Sequence, residues 1–521
     1  MSELLLLKKE DCKSCYKCIR ECALKSIRFS ENRAQIVEQE CVYCGHCYVT
    51  CPQSAKEIRR DTDKAKALIA SGRPVIVSLA PSFIADFGVG GLDGMRQAFL
   101  KLGFADVEET ARGARIVKTE YERMIASGEH KLIISSCCHS VNLLIQKRYP
   151  QALPYPAKVD SPMLAHAKSI KERVPGSAVV FIGPCISKKD EAEQYGQVDC
   201  VLTFDELIDW LAEEGIELPA GEQPDGTEAR SRFFPTAGGI IRSMDLDDGF
   251  SYIPIDGLHR CMDALEEIER GGMQNCFVEM NACEGSCIGG PVMHRYHSAP
   301  ITCKTRVEQY SGKSGRDFDD QPADDLRKSM QYIGSGAVKP GEAAIQEVLH
   351  KLGKYRPEDE LNCGTCGYST CREKAIAVCQ GKADLTMCLP FLKARAESFS
   401  GAILDNTPNA IMAMDTKLII QQANESAARL FGMESPREMV GMPIDAILGT
   451  VEYLQAIDGE RPDGPIRHYL PEYDKYVEET IAFDPEYNLV ISIIKDIADE
   501  TRREQELDKE RRRTAELADR V

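Results

Sequence analysis

The sequence predicts a multidomain chain of mixed α/β and α+β class, and three features of its 521 residues carry that reading. Cysteine runs of one form occur twice before residue 52. Four short apolar, β-branched runs, at residues 75–79, 131–134, 178–182 and 276–280, each lead into a loop of small residues or cysteines. No cysteine follows Cys388, although the chain holds 22, so its last part performs a different chemistry. The apolar runs have the length and composition of buried strands. In α/β architectures the carboxyl ends of such strands line the ligand crevice, so thiols far apart in sequence would meet there around one large metal cluster.

Residues 1–60 form the first predicted domain. Cys12-x2-Cys15-x2-Cys18-x3-Cys22 recurs as Cys41-x2-Cys44-x2-Cys47-x3-Cys51, followed by Pro52. Thiolate is a soft ligand, and runs this closely spaced wrap a cluster corner. The pair resembles the bacterial two-cluster ferredoxins, in which the fourth cysteine of each run serves the other cluster. By that resemblance Cys12, Cys15, Cys18 and Cys51 hold one [4Fe–4S] cubane, and Cys41, Cys44, Cys47 and Cys22 hold a second. Ala23 stands where the first run would carry its proline. Zinc is the competing metal, and eight cysteines in a doubled pattern favour iron–sulfur.

A charged linker at 56–66 is expected to lead into an α/β domain over residues 61–355. Its loops read Ala80-Pro81-Ser82, Ser135-Ser136-Cys137-Cys138-His139, Gly183-Pro184-Cys185-Ile186-Ser187-Lys188, and Glu279-Met280-Asn281-Ala282-Cys283 continuing to Cys287-Ile288-Gly289-Gly290. The last three resemble, in order and form, the TSCCP, MPCxxK and ExMACxxGCxxGG motifs of the [FeFe]-hydrogenases. The resemblance implies an H-cluster: a [4Fe–4S] cubane joined through one cysteine to a diiron unit bearing CO, cyanide and a bridging azadithiolate. Carried over, Cys138, Cys185, Cys283 and Cys287 are the cubane ligands, with Cys287 as the bridge. Lys188 would donate a charge-assisted hydrogen bond to one cyanide, and Ala80, Pro81 and Ser82 would contact the other. Cys137 would relay protons, with Glu191 and Glu279 as the acidic residues that carry them outward. The bland alternative is four ordinary buried cysteines. Three departures stand out: Gly183 for Met, Asn281 for Met, and His139 for Pro, with the usual Trp missing. They should alter the cavity and the reactivity of the diiron unit.

Residues 215–231 and 316–325 are expected as surface loops, and a helical pattern runs from about Pro340 to Leu352. A small module at 356–400 then carries Cys363, Cys366, Cys371 and Cys388. It resembles the four-cysteine [4Fe–4S] modules of corrinoid proteins, with zinc as the competing occupant. Gly364 and Gly367 would let the backbone fold tightly around a cluster. Cys200, Cys261, Cys276, Cys303 and Cys379 match no motif and are expected as packing residues.

From about residue 401 to 500 a helix, a turn, strands near 410–415 and 418–421, a short helix from Asn424 and a closing strand at 490–496 resemble a PAS sensor domain. The absence of cysteine excludes a flavin–cysteinyl photosensor. Haem through His468 is the lesser option, since an exposed loop histidine is commoner. The tail, 501–521, is charged and free of Gly and Pro, as a helix requires. Leu507, Leu517 and Val521 make a stripe too sparse for a self-sufficient coiled coil, so a signalling or dimer-forming helix is expected.

Composition bounds the function. A net charge of −18 argues against nucleic acid or an anionic membrane as partner. No apolar run approaches a bilayer's thickness, and Leu4 to Leu7 lacks the basic flank of a signal peptide. Sixteen of the 22 cysteines fall in the sets above, which leaves few for disulfides and fits a cytoplasmic, oxygen-intolerant redox protein. Two functions compete. One is an H2-sensing hydrogenase that reports through PAS to a separate effector such as a kinase or phosphatase. The other is a working hydrogenase that exchanges electrons with ferredoxin, with PAS as a regulator. A cubane-only protein is the third option; the presence of Lys188 and Cys137, which have no task at a bare cubane, speaks against it. Either hydrogenase would need maturation proteins to install its diiron unit.

Overall fold

The computed structural model describes residues 3–221, 227–271, 273–293, 298–320, 325–459 and 464–518, with backbone alone for 400 and 515–518. It divides into two compact units, Met1–Cys388 and Leu389–Val521. The expected loop at 215–231 includes 222–226, and that at 316–325 includes 321–324; both segments lie outside the described residues, as do 519–521 of the tail.

The first unit opens with β1 (Leu5–Leu7), β2 (Ile27–Ser30), β3 (Arg33–Ile36) and β4 (Lys56–Ile58). β2 and β3 form a hairpin, and β1 pairs antiparallel with β4. The segment expected as a charged linker is therefore structured: β4 covers the apolar run of β1, and the helix Thr62–Ala70 follows. Its inner charges are paired rather than solvated. Asp61 accepts from buried Lys189 at 2.7 Å and from Arg59 at 3.1 Å.

Two parallel sheets build the α/β domain. The first runs β6 (Asp106–Glu109), β5 (Val75–Leu79), β8 (Ala178–Gly183), β9 (Cys200–Thr203) in spatial order. The second runs β10 (Ser251–Asp256), β11 (Cys276–Asn281), β7 (Leu132–Ile134). Strands β5, β7, β8 and β11 are buried along their whole length, which is why they read as continuous apolar runs without alternation. Register places Leu79 beside Ile182 and Ile134 beside Val278, so the loops that follow these strands leave at matching levels within each sheet. Helix ends are set locally. Thr203 and Glu206 form a reciprocal capping box at the start of the helix Phe204–Glu213. The unmatched cysteines Cys200, Cys261, Cys276 and Cys303 lie buried in the apolar cores.

The second unit starts with the helix Leu389–Asn406 and holds β12 (Ala410–Met414), β13 (Ile420–Ala423), β14 (Ile466–Leu470), β15 (Lys475–Asp484) and β16 (Leu489–Asp496). They form one antiparallel sheet in the order β13-β12-β16-β15-β14. Asn424 accepts from the amide of Ala427 at 2.9 Å and donates to the carbonyls of Leu404 and Asn409, so one side chain starts the helix Glu425–Leu430 and fixes the entry to β12. The strand expected from 418 begins two residues later, because Leu418 sits in a turn at φ 60°. A long helix, Ala498–Ala518, leaves β16.

Candidate metal-cluster centre

The carboxyl ends of β5, β7, β8 and β11 meet around a cavity of about 110 Å³. Cys137, Cys138, Cys185, Cys283 and Cys287 all line it, as do Lys188 and the Ala80-Pro81-Ser82 segment. Every loop singled out from sequence thus reaches one place. Burial raises the pKa of Cys138, Cys283 and Cys287, and each is raised further by the charge of Cys185. Such thiols ionise together only around a strong positive centre. The hydroxyls of Ser82 and Ser286 are buried at the wall without a partner among the described residues, and so remain free for a polar ligand. The donor set fits the cluster that the motifs imply.

Around the thiols lies a polar frame. Lys188 donates to the Cys137 carbonyl at 3.0 Å and to Glu191 at 2.5 Å. Burial opposes its charge, yet Glu191 and the neighbouring thiols hold its ammonium above the ordinary value. Lys328, wholly buried, grips the other Glu191 oxygen at 2.5 Å, and the Ser161 hydroxyl adds a bond at 3.0 Å. Burial alone would raise Glu191, but the two ammonium groups hold it well below the usual carboxylate range. Glu279 is the reverse case. Burial pushes it up to about 7 despite the amide of Ile241 at 3.1 Å. Burial also pushes Cys137 up to about 12, against a hydrogen-bonding contact with the Tyr121 hydroxyl at 3.2 Å.

The three departures from the motifs have visible causes. A side chain at Gly183 would start 2.7 Å from the ring of Phe181 and 3.1 Å from the Ala80 Cβ; the aromatic ring, itself at the cavity wall, fills that space. Asn281 donates to Glu279 at 3.2 Å. His139 bonds Asp190 at 2.7 Å and turns its other nitrogen towards Glu191 at 3.9 Å. Burial lowers the pKa of His139 in spite of Asp190.

The ferredoxin-like thiols also gather as two sets. Cys12, Cys15, Cys18 and Cys51 line one small cavity, while Cys47 feels the charges of Cys41, Cys44 and Cys22. Cys44 lines this cavity too, so the second set abuts the cavity's own thiols, Cys138 and Cys283 among them. Gly45 makes this approach possible: it has φ 77°, and a Cβ there would lie 2.5 Å from Pro291. In the four-cysteine module Cys366 feels Cys388 and Cys363; Cys371 begins the helix Cys371–Cys379. The module packs on the ferredoxin-like domain. Lys25 donates to the Gly367 carbonyl at 3.1 Å, Lys382 pairs with buried Glu40 at 2.9 Å, and Tyr368 shares an apolar core with Ile19 and Phe29. Lys25 and Tyr368 each feel both Cys22 and Cys366, so they lie between the two thiol sets. Sequence reasoning missed His139, Asp190 and Lys328 as site residues; Lys328 carries no motif that could have revealed it.

Several stretches of the chain resemble known proteins. Residues 73–291 match the family described as iron only hydrogenase large subunit, C-terminal domain. Residues 359–390 match an Fe-S cluster family and 399–464 a PAS domain. The chain is 26% identical over 356 residues to the NADP-reducing hydrogenase subunit HndD of Solidesulfovibrio fructosivorans, covering 54% of this chain and 60% of that one. It is 26% identical over 366 residues to cytosolic iron-sulfur assembly component 3 of Rattus norvegicus, covering 62% and 68%. Among solved structures, [FeFe]-hydrogenase HydA1 from Chlamydomonas reinhardtii aligns with 53% of this chain and 100% of its own at 19% identity and a TM-score of 0.44. A PAS domain of an HTR-like protein from Haloarcula marismortui aligns with 20% of this chain and 95% of its own at 16% identity and a TM-score of 0.17. The chain therefore carries an iron-only hydrogenase large-subunit domain, an Fe–S cluster module and a PAS domain, in that order.

Proposed function

We propose that the protein is an H2-sensing [FeFe]-hydrogenase whose redox state is passed through Fe–S clusters to its PAS domain. The observation that carries this reading is the convergence of Cys138, Cys185, Cys283 and Cys287 on a cavity that also holds Cys137, Lys188 and an unpartnered Ser82 hydroxyl. A bare cubane needs only the four thiols. The additional polar groups favour an H-cluster over the cubane-only alternative, to which the similarity with an iron–sulfur assembly component would point. When bound, the cluster would supply reversible heterolytic H2 cleavage.

The residues of the chain then take defined tasks. Cys138, Cys185, Cys283 and Cys287 hold the cluster, Lys188 and Ser82 offer hydrogen bonds to its polar ligands, and Phe181 shapes the wall. Cys137 hands protons on. Of the two carboxylates expected to carry them outward, Glu279 is the better placed electrostatically, since it can bind and release a proton near pH 7. Glu191 is fixed as an anion and holds Lys188 in position. Electrons pass from the cavity to the Cys44 set, and from there past Lys25 and Tyr368 to the four-cysteine module. Its place is thus beyond the ferredoxin-like clusters and not directly beside the cavity. Outside partners follow from this scheme: H2 and protons, ferredoxin or another redox carrier, maturation proteins, and a kinase- or phosphatase-type effector in the cytoplasm. The long exit helix would join a homodimer.

The test is hydrogen–deuterium exchange of residues 389–518 with and without H2, in wild type and in the Cys363→Ser/Cys366→Ser double variant. The sensor reading expects H2 to change exchange in wild type and not in the variant. An H2 response that persists in the variant would remove the four-cysteine module from the signal path. Rapid H2 turnover with no change in exchange would make the protein a working hydrogenase that only carries a PAS domain.

A further inference from the structure

From the cavity wall a row of hydrogen-bonding groups that includes neither Glu191 nor Glu279 leads to the surface. Thr110 lines the cavity. Its Oγ1 lies 2.8 Å from Ser78 Oγ, which lies 2.8 Å from His166 Nδ1. His166 Nε2 lies 3.1 Å from Glu108 Oε2, and Arg173 clasps both Glu108 oxygens at 2.9 and 2.7 Å. Exposure rises along the row: Ser78 and His166 are wholly buried, the Glu108 side chain is 15% exposed and that of Arg173 44%.

Donor and acceptor roles in this row are nearly forced. An ionised carboxylate only accepts, so His166 Nε2 carries a proton and Nδ1 is left to accept from Ser78. The two hydroxyls each give one proton and take one. The charged groups that face His166 are Glu108, Arg173 and Asp320; burial nevertheless lowers its pKa, so the neutral ring that can receive a proton is the resting form. His166 and Arg173 hold Glu108 down to about 2 against its burial, which keeps the outer end ionised. The ring's position is built in by Gly113. A Cβ there would lie 2.1 Å from the Pro162 carbonyl and 2.7 Å from the His166 Cβ, so only glycine lets the helices Ala111–Ala126 and Pro162–Arg173 press together at this point.

We propose that Thr110, Ser78, His166 and Glu108 form a proton conduit between the cavity and solvent, separate from the Cys137 side. The proposal rests on reading the cavity as an H2-converting centre. A proton arriving at Thr110 Oγ1 displaces that hydroxyl's own proton to Ser78, whose proton moves to His166 Nδ1, while the Nε2 proton passes to Glu108 and then to water. One proton leaves the cavity and no heavy-atom bond changes; the ring is left protonated on Nδ1, and the starting tautomer returns when solvent takes that proton and supplies one to Nε2, an exchange that leaves the proton count unchanged. The reverse sequence brings a proton in.

Two substitutions interrupt the row differently. His166→Gln keeps a group for both neighbours but cannot carry a proton across, and Ser78→Ala removes one link. On protein without the cluster, histidine-selective 15N NMR should show His166 neutral with its proton on Nε2; a ring protonated on Nδ1 at neutral pH overturns the assignment. On protein carrying the cluster, the CO and cyanide infrared bands of both variants should keep their positions, while their response to a pH jump slows roughly tenfold or more. An unslowed response in both variants sinks the conduit alone. Wild-type protein with no such bands after maturation sinks the reading of the cavity, and the conduit with it.

Discussion

Glu191 and Glu279 are both buried carboxylates, yet their surroundings drive them in opposite directions. Glu191 has two ammonium groups on its oxygens; Glu279 has only amides. The raised pKa of Glu279 has a signed consequence. The folded state binds its proton more tightly than the unfolded state does, so the stabilising contribution is complete below the ordinary value of 4.5 and is lost as pH rises through about 7. Glu279→Gln is expected to flatten the pH dependence of the unfolding midpoint across that window; an unchanged slope would mean that Glu279 is ionised in the fold. Lys328→Met tests the other carboxylate. Taking one cation from a buried ion pair costs about 3–5 kcal/mol, so chemical denaturation should show a loss of that order for the first unit. At this scale the sequence was legible where thiols come in local patterns, as at Cys138 or Cys283, which both reach the cavity. It was silent on Lys328, whose partner Glu191 is 137 residues away and whose neighbours carry no pattern. His139, read only as a departure from a motif, turns out to anchor Asp190 and face Glu191.

At the scale of elements, buried parallel strands announce themselves by continuous apolar runs, and β5, β7, β8 and β11 all lie where those runs fall. The segment 56–66 misled because charge usually marks solvent-exposed chain. Here Arg59 pairs with Glu193 and Asp61 with Lys189, partners from another element, a pairing that no local signal records. The 418 boundary misled because a β-branched or apolar residue at positive φ is rare. Docking of the ferredoxin-like domain turns on one glycine. Gly45→Ala would put a methyl group 2.5 Å from Pro291 at a left-handed φ, at a cost of about 1–3 kcal/mol from overpacking. Amide exchange in residues 41–51 is expected to quicken in that variant, and wild-type protection there would contradict the close contact.

For the whole molecule, the order of modules was legible, because each has its own cysteine pattern or lack of one. Their arrangement was not. The four-cysteine module settles on the ferredoxin-like domain through Arg20, Lys25, Glu40 and Lys382, contacts that span more than 340 residues of chain. Its place there puts the ferredoxin-like thiols between the cavity, which Cys44 lines, and the module, whose Cys366 lies near Cys22. Among the described residues no helix is long and apolar enough to cross a membrane. The net charge of −18 should make encounter with a basic partner faster at low salt than at high salt, which stopped-flow mixing at two ionic strengths would register.

Infrared spectroscopy of anaerobically matured protein would show whether the thiol-lined cavity holds a cluster bearing CO and cyanide. CO and cyanide bands are expected that shift when H2 is admitted, with Lys188→Met displacing the cyanide bands by removing the cation proposed to donate to them. Verified maturation with iron bound but no such bands would leave a cubane-only protein and overturn the proposed function.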